Sequence, residues 1–295
     1  MYICVNFNFM NDQFYIKFGE SFYEKYILPK DLGLKSRQVS YWRENKVIPY
    51  FFETHQKHGR MNIPEAIWMM ILKELSDIGI STEKLKILSY QVWNVPKKNK
   101  YADQVILKYI HSKKPLVSET GKSSLKDTLS NEMVMDTLRE EINQYTDMLK
   151  SCIANVSQPH GMVYSPLTNE HSFLVNNDIL LKKLGSLSFD YPLISIPILG
   201  KLSKIISIDL NIKHKKLKYL NDLENQIREI VLFKKPRIVE IAFDDGHIKP
   251  RTITEKHVKQ DELADFLLKN KIPKGSKLLI DPRSQDNYKL TLITK

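Results

Sequence analysis

The chain alternates between long stretches of helical period and one late stretch of strand period. From about Ser21 to Trp93 apolar residues recur every three or four positions, interrupted by a loop at Pro49–Gly59. A short helix is expected over Tyr101–His111. "HSKKPLVSETGKSS", rich in Lys and Ser with a Pro and a Gly, reads as a linker. Met135, Leu138, Ile142, Tyr145, Leu149, Cys152 and Val156 then follow one another at intervals of 3, 4, 3, 4, 3 and 4. That is an a/d stripe, flanked by Arg139, Glu140, Glu141, Asp147 and Lys150. A stripe this narrow favours two helices pairing over one helix covering a domain, so a coiled-coil dimer interface is predicted on those seven positions. "SQPHGMVYSP" ends the coil.

Beyond it "NNDILLKKLGSL" has helical spacing, and "YPLISIPILGKLSKIISIDL" mixes β-type residues with breakers. Lys213 to Phe233 reads as a helix with Leu217, Leu220, Leu223, Ile227, Ile230 and Val231 on one face. The last 60 or so residues change period. "RIVEIAFDDGHIKPRTIT" is two β-rich runs around Asp245-Gly246, "KQDELADFLLKN" is a helix, and "KLLIDPRSQDNYKLTLITK" is a second strand pair around a polar turn.

The fold class expected is therefore mainly α with a C-terminal α+β module. Its parts are an irregular or strand-like N-terminal extension (1–20), a helical domain (21–95) and a linker with a short helix (96–129). A coiled-coil dimerisation helix (130–157), a middle region without a recognisable motif (158–233) and a small ββαββ domain (234–295) complete it.

One short helix stands out within the first domain. In "GLKSRQVSYWRENKVIP", Gly33 supplies a turn and Ser36 is a candidate N-cap. Leu34, Val39, Trp42 and Val47 are spaced to face a core. Arg37, Gln38, Ser40 and Tyr41 are left on the other surface. Arg and Gln can hydrogen-bond base edges, and Arg, Ser and Tyr can reach phosphates. A helix buried on one side and polar on the other is how a recognition helix should look. After it come an aromatic, basic loop ending at Gly59-Arg60, a helix starting at Pro64-Glu65, a stop at Gly79, and a further helix capped by Ser81.

These pieces together resemble the winged-helix DNA-binding domain of the MerR family of bacterial transcription regulators. The matching segments are "LGLKSRQVSYWRENKVIP", "HGRMNIPEA" and "LKELSDIGISTEKLKIL", and the resemblance is confined to about residues 25–93. It implies a winged helix-turn-helix whose second helix enters the major groove, a wing on backbone or minor groove, and dimers paired through a following helix. Carried over by position, Lys35, Arg37, Gln38, Ser40, Tyr41 and Arg43 belong to the DNA-binding helix. Lys57, His58 and Arg60 belong to the wing, and Trp42 to the core. The sequence departs from the family at Pro29, inside the expected first helix, and at Ser40, where a second arginine is common.

Charge fits this picture. Lys and Arg number 45 against 34 Asp and Glu, a formal +11, which favours an anionic partner. Two cysteines, Cys4 and Cys152, show no CxxC spacing and no His cluster. Thiolate metal sensing is not expected, and neither a metal nor a cofactor is predicted. Asp244, Asp245 and His247 are better explained by a hairpin turn than by an acid–base site. His55 and His58 suit a solvated basic loop better than a metal site. "LGKLSK" lacks phosphate-loop glycine spacing, and no catalytic constellation is recognisable, so no enzyme is expected. No apolar run approaches the ~20 residues that span a bilayer. The reading is a dimeric, sequence-specific double-stranded DNA-binding regulator, cytoplasmic and nucleoid-associated, with an effector left open. The alternatives are an architectural or mobile-element DNA protein using the same domain and, more weakly, an interaction scaffold acting through the C-terminal module.

Overall fold

A computed structural model describes residues 13–49, 59–112, 118–175, 191–212, 217–234, 236–244, 249–270, 272, 276–285 and 287–293. The fold is mainly helical, with a C-terminal part that mixes helices and strands and two small sheets. It divides into two compact units. One runs from Phe22 to Leu199; the other comprises Gly200–Lys295 together with Phe9–Ser21.

In the first unit the centre is α3 (Ile63–Asp77). Ile63, Ala66, Ile67, Trp68, Met69, Ile71, Leu72 and Leu75 are all fully buried, so the first turns of α3 are enclosed nearly all round. Asn62 and Glu65 start it reciprocally: the Glu65 N–H donates to Asn62 Oδ1 and the Asn62 N–H to Glu65 Oε2, both at 3.0 Å. Gly79, at φ 93°, stops it, and Ser81 Oγ caps α4 (Thr82–Ser89). A π turn (Tyr90–Asn94) joins α4 to the short α5 (Val95–Lys98). Trp68 Nε1–H donates to Ser89 Oγ at 3.2 Å and so ties α3 to α4.

Helices α6 (Tyr101–Ile110), α7 (Glu119–Ser130) and α8 (Glu132–Glu141) form a satellite core. Ala102, Ile106, Ile110, Leu125, Met135 and Ile142 fill it, with Leu138 packed against it. Residues 119–130 are thus a packed helix where a linker was expected; Ser118 caps it and Leu125 anchors it.

The continuous coil over 130–157 does not form. The helix stops at Glu141; Ile142 (ψ 113°) and Asn143 (ψ 174°) turn extended, and α9 (Gln144–Ala154) starts anew. The cause is local: Asn143 and Thr146 make a capping box, and an Asn cap competes with helix propagation. Most of the stripe is buried within the chain. Met135, Ile142, Tyr145, Leu149 and Cys152 are buried, Leu138 and Val156 partly so. Tyr145, expected in a dimer interface, is fully buried. Its ring meets Trp68 at 5.3 Å and Trp93 at 5.5 Å, and its hydroxyl donates to the Pro64 carbonyl at 3.0 Å. Arg139, expected on the flank of a coil, is buried and bonds both carboxylate oxygens of Asp103 on α6, at 2.9 and 2.8 Å.

An antiparallel sheet closes this unit: β1 (Gly161–Tyr164) lies between β2 (His171–Leu174) and β3 (Ile194–Pro197). A side chain at Gly161 would meet the Ile196 carbonyl oxygen at 2.8 Å, so only glycine fits there. The helix expected in "NNDILLKKLGSL" lies outside the described residues.

The second unit begins where an irregular extension was expected. Residues Gln13–Glu20 are a helix, α1, whose buried Phe18 sets its ring edge-on to Tyr219 at 5.3 Å. It continues with α10 (Leu199–Leu210) and α11 (Asp222–Arg228), the latter extended by a π turn (Glu229–Phe233). The helix expected from Lys213 starts only at Asp222, because Asn221 and Glu224 form a capping box at 2.8 Å each way. Leu217, Leu220, Ile227, Ile230 and Val231 are nonetheless buried. β4 (Ile238–Phe243), β5 (Arg251–Thr254), α12 (Lys259–Lys269), β6 (Lys277–Arg283) and β7 (Asn287–Ile293) follow. They make a mixed sheet in the order β5-β4-β7-β6, with β4 and β7 parallel and the outer pairs antiparallel. The turn expected at Asp245-Gly246, and His247, lie outside the described residues.

Candidate nucleic-acid interface

The element that presents the polar surface is α2 (Ser36–Glu44). Its approach is one 3-10 turn, Pro29–Leu32, rather than a full first helix: Pro29 occupies its first position, and proline is tolerated there but not deeper. Gly33, at φ 71°, takes the left-handed conformation that reverses the chain into α2. Lys35 is the N-cap in place of Ser36, without a side-chain cap bond. At the other end the Asn45 side chain donates to the Tyr41 carbonyl at 2.8 Å, and Lys46 turns left-handed at φ 57°.

Leu34, Val39, Trp42, Val47 and Ile48 hold α2 from beneath, all buried. Trp42 is structural, as expected. The bridge between Ile27 and Met61 ties the chain before α2 to the chain after the loop, with paired bonds of 3.0 and 2.8 Å. The platform under the helix is thus closed on both sides of the sequence.

With Val39 and Trp42 inward, the helical period turns Arg37, Ser40, Tyr41 and Glu44 to the opposite side. Lys35, Arg37, Ser40, Tyr41 and Arg43 are exposed, Tyr41 at 49%. Gln38 is half-buried, on the flank nearest Trp42, and is the least available of the six helix positions singled out by sequence. Tyr41 Oη lies 3.5 Å from Thr82 Oγ1, so the ring leans toward the first turn of α4. Arg60 is exposed next to Met61. Lys57, His58 and His55 lie outside the described residues.

Glu44 was overlooked by sequence reasoning. Counting Arg37, Ser40, Tyr41 and Glu44 as i, i+3, i+4 and i+7 would have found it. A carboxylate in the last turn of this face repels phosphate but can accept from a cytosine amino group.

A cleft in the same unit is bordered by Tyr23, Lys25, Glu65, Glu140 and Glu141. Lys25 Nζ sits 3.1 Å from Glu65 Oε1. Glu65 nevertheless holds its proton more tightly than an ordinary carboxyl: burial outweighs the attraction of Lys25 and the Asn62 N–H bond. Burial raises the Glu141 carboxyl as well. Among the described residues no group of three or more His, Cys, Asp or Glu is arranged to hold a metal ion. Cys152 is a buried free thiol whose pKa is pushed up to about 12 by burial, so it is inert as a nucleophile. No helix among the described residues is long and apolar enough to cross a membrane.

Comparison with known proteins gives no bearing on this surface: no family model, curated protein or solved structure matches the chain.

Proposed function

We propose that the protein binds duplex DNA through the exposed side of α2 and acts as a sequence-specific regulator, the reading suggested by its resemblance to MerR-type winged helix-turn-helix domains. One observation carries it. Val39 and Trp42 of α2 are buried while Lys35, Arg37, Ser40, Tyr41 and Arg43 stand exposed, so the helix offers three cations, a hydroxyl and a phenol outward beside the carboxylate of Glu44. In this reading Arg37, near the N-terminal end, reads a base edge or a phosphate; Ser40 and Tyr41 contact backbone; Lys35, Arg43 and Arg60 contribute charge. The chain's +11 supports association with a polyanion. The reading is of a binding protein, with no catalytic step.

Selection of bound genomic fragments, followed by fluorescence anisotropy on the recovered duplex, tests this. Arg37→Ala should weaken binding to the selected site by about 1–3 kcal/mol and relax preference at one position. Unchanged affinity in both Arg37→Ala and Arg60→Ala would overturn the proposed face. Footprints confined to single promoter sites favour a regulator, whereas clusters at recombination ends favour an architectural protein.

A further inference from the structure

The C-terminal sheet leaves a strand edge whose residues match their own reversed copy. Among the described residues β6 is the outermost strand of its sheet and bonds only to β7 there. Opposite pairs run Leu278–Leu292, Leu279–Thr291, Ile280–Leu290 and Asp281–Lys289. Residues opposite each other share a face, so Leu278 and Ile280 lie on the face of the buried Val239, Ile241, Phe243, Leu290 and Leu292. Lys277, Leu279 and Asp281 lie on the other face, with Lys289 and Glu240. At β6 the apolar face is no longer covered: Ile280 is 39% exposed, and on the opposite face Leu279 is 55% exposed.

The backbone has a definite polarity at this edge. Pro282 pairs with Tyr288 yet has no N–H to give, so it occupies a position that does not bond β7. Alternation along an antiparallel strand then turns the N–H and C=O groups of Leu278 and Ile280 toward the open edge.

We infer that β6 pairs antiparallel with β6 of a second copy, centred on Leu279, so that Lys277 of each chain lies opposite Asp281 of the other. In this register Leu278 and Ile280 of one chain exchange backbone bonds with Ile280 and Leu278 of the second copy. The two Leu279 side chains meet on the two-fold axis, and opposite charges face each other at both ends. Pro282 stands at the next bonding position and ends the ladder there.

Neighbouring registers that keep the faces matched lack this fit. Centring on Ile280 sets Lys277 against Arg283 and puts Pro282 opposite Leu278 in a bonded pair, where it has no N–H. Centring on Leu278 sets Lys277 against Leu279. A lysine and a proline are common guards of an open edge; here both are accommodated by one register, and the apolar run between them is covered. The dimer does not depend on the DNA-binding reading.

Sedimentation velocity of the full chain, at concentrations up to about 200 µM, provides the test. A single strand pair is a small interface, so a micromolar dimer is expected. Lys277→Glu and Asp281→Lys each replace attraction by repulsion at both ends and should weaken the dimer by about tenfold to a hundredfold. The double exchange restores opposite charges and should return the affinity to within about threefold of the original. Both positions are exposed, and unchanged circular dichroism will confirm that the variants fold. A monomeric wild-type chain, a dimer indifferent to the single changes, or a double exchange that fails to recover would each overturn the register.

Discussion

At the scale of single residues, several polar groups owe their behaviour to neighbours distant in sequence. Glu65 is an N-terminal acid of α3, 4% exposed, with Lys25 as its ion-pair partner. Its carboxyl is raised above the usual 4.5 in the fold. A raised acid contributes stability below its unfolded pKa, and that contribution is lost as pH rises through the folded value. Glu65→Gln keeps a side chain that can bond the Asn62 N–H but cannot ionise. Between about pH 4 and pH 7 the melting temperature of the variant should therefore gain on that of the wild type. Calorimetry at the two pH values checks the sign; a gap that moves toward the wild type would mean Lys25 outweighs burial. Tyr145 offers a second residue-scale test. Tyr145→Phe removes one buried hydroxyl bond, to the Pro64 carbonyl, and should cost about 1 kcal/mol in urea unfolding. Tyr145→Ala also empties the space between Trp68 and Trp93 and should cost about 3–5 kcal/mol.

At the scale of elements, the break between α8 and α9 distinguishes two accounts of the same sequence. In an unbroken helix Asn143 would be an ordinary position, and alanine there would be stabilising by a few tenths of a kcal/mol. As the cap of α9, accepting from the Thr146 N–H at 2.9 Å, it should be costly to remove. Asn143→Ala is expected to destabilise by about 0.5–2 kcal/mol in chemical denaturation. The sign of this one change reports whether the coil is continuous. The same logic applies at Leu149, fully buried within one chain. Leu149→Asp should abolish folding rather than convert a dimer to folded monomers, and loss of the circular-dichroism melting transition is the readout.

For the whole molecule, the excess of cations is the property that reaches furthest. If α2 faces DNA, Lys35, Arg37, Arg43 and Arg60 are the described cations assigned to the proposed contact. Their joint neutralisation of phosphates gives a slope of about −3 to −4 in log K against log salt. Titrations from about 50 to 200 mM salt should show it, and Lys35→Ala should lessen the slope by about one. A flat dependence would remove the electrostatic part of the reading.

Much of this molecule was written locally. The helix start at Pro64-Glu65, the cap at Ser81, the turns at Gly33 and Gly79 and the inward set Leu34, Val39, Trp42 and Val47 could be read directly, because each rests on residues within a few positions of one another. So could the strand pairs β4–β5 and β6–β7, whose alternation and turns are adjacent in the chain. The exposed side of α2 followed from the same count, except that Glu44 was missed and Gln38 is half-buried. What the sequence left undecided were partners. A 3-4 stripe states that one face will be buried but not against what; the Trp68–Trp93 core and the Asp103–Arg139 pairing decided that, through contacts many residues apart. The parallel joining of β4 to β7 and the use of α1 in the C-terminal unit were settled the same way, since neither Phe18 nor Leu290 carries a mark of its partner. Periodicity determines which side of an element turns inward; only packing of the whole chain determines what it meets there.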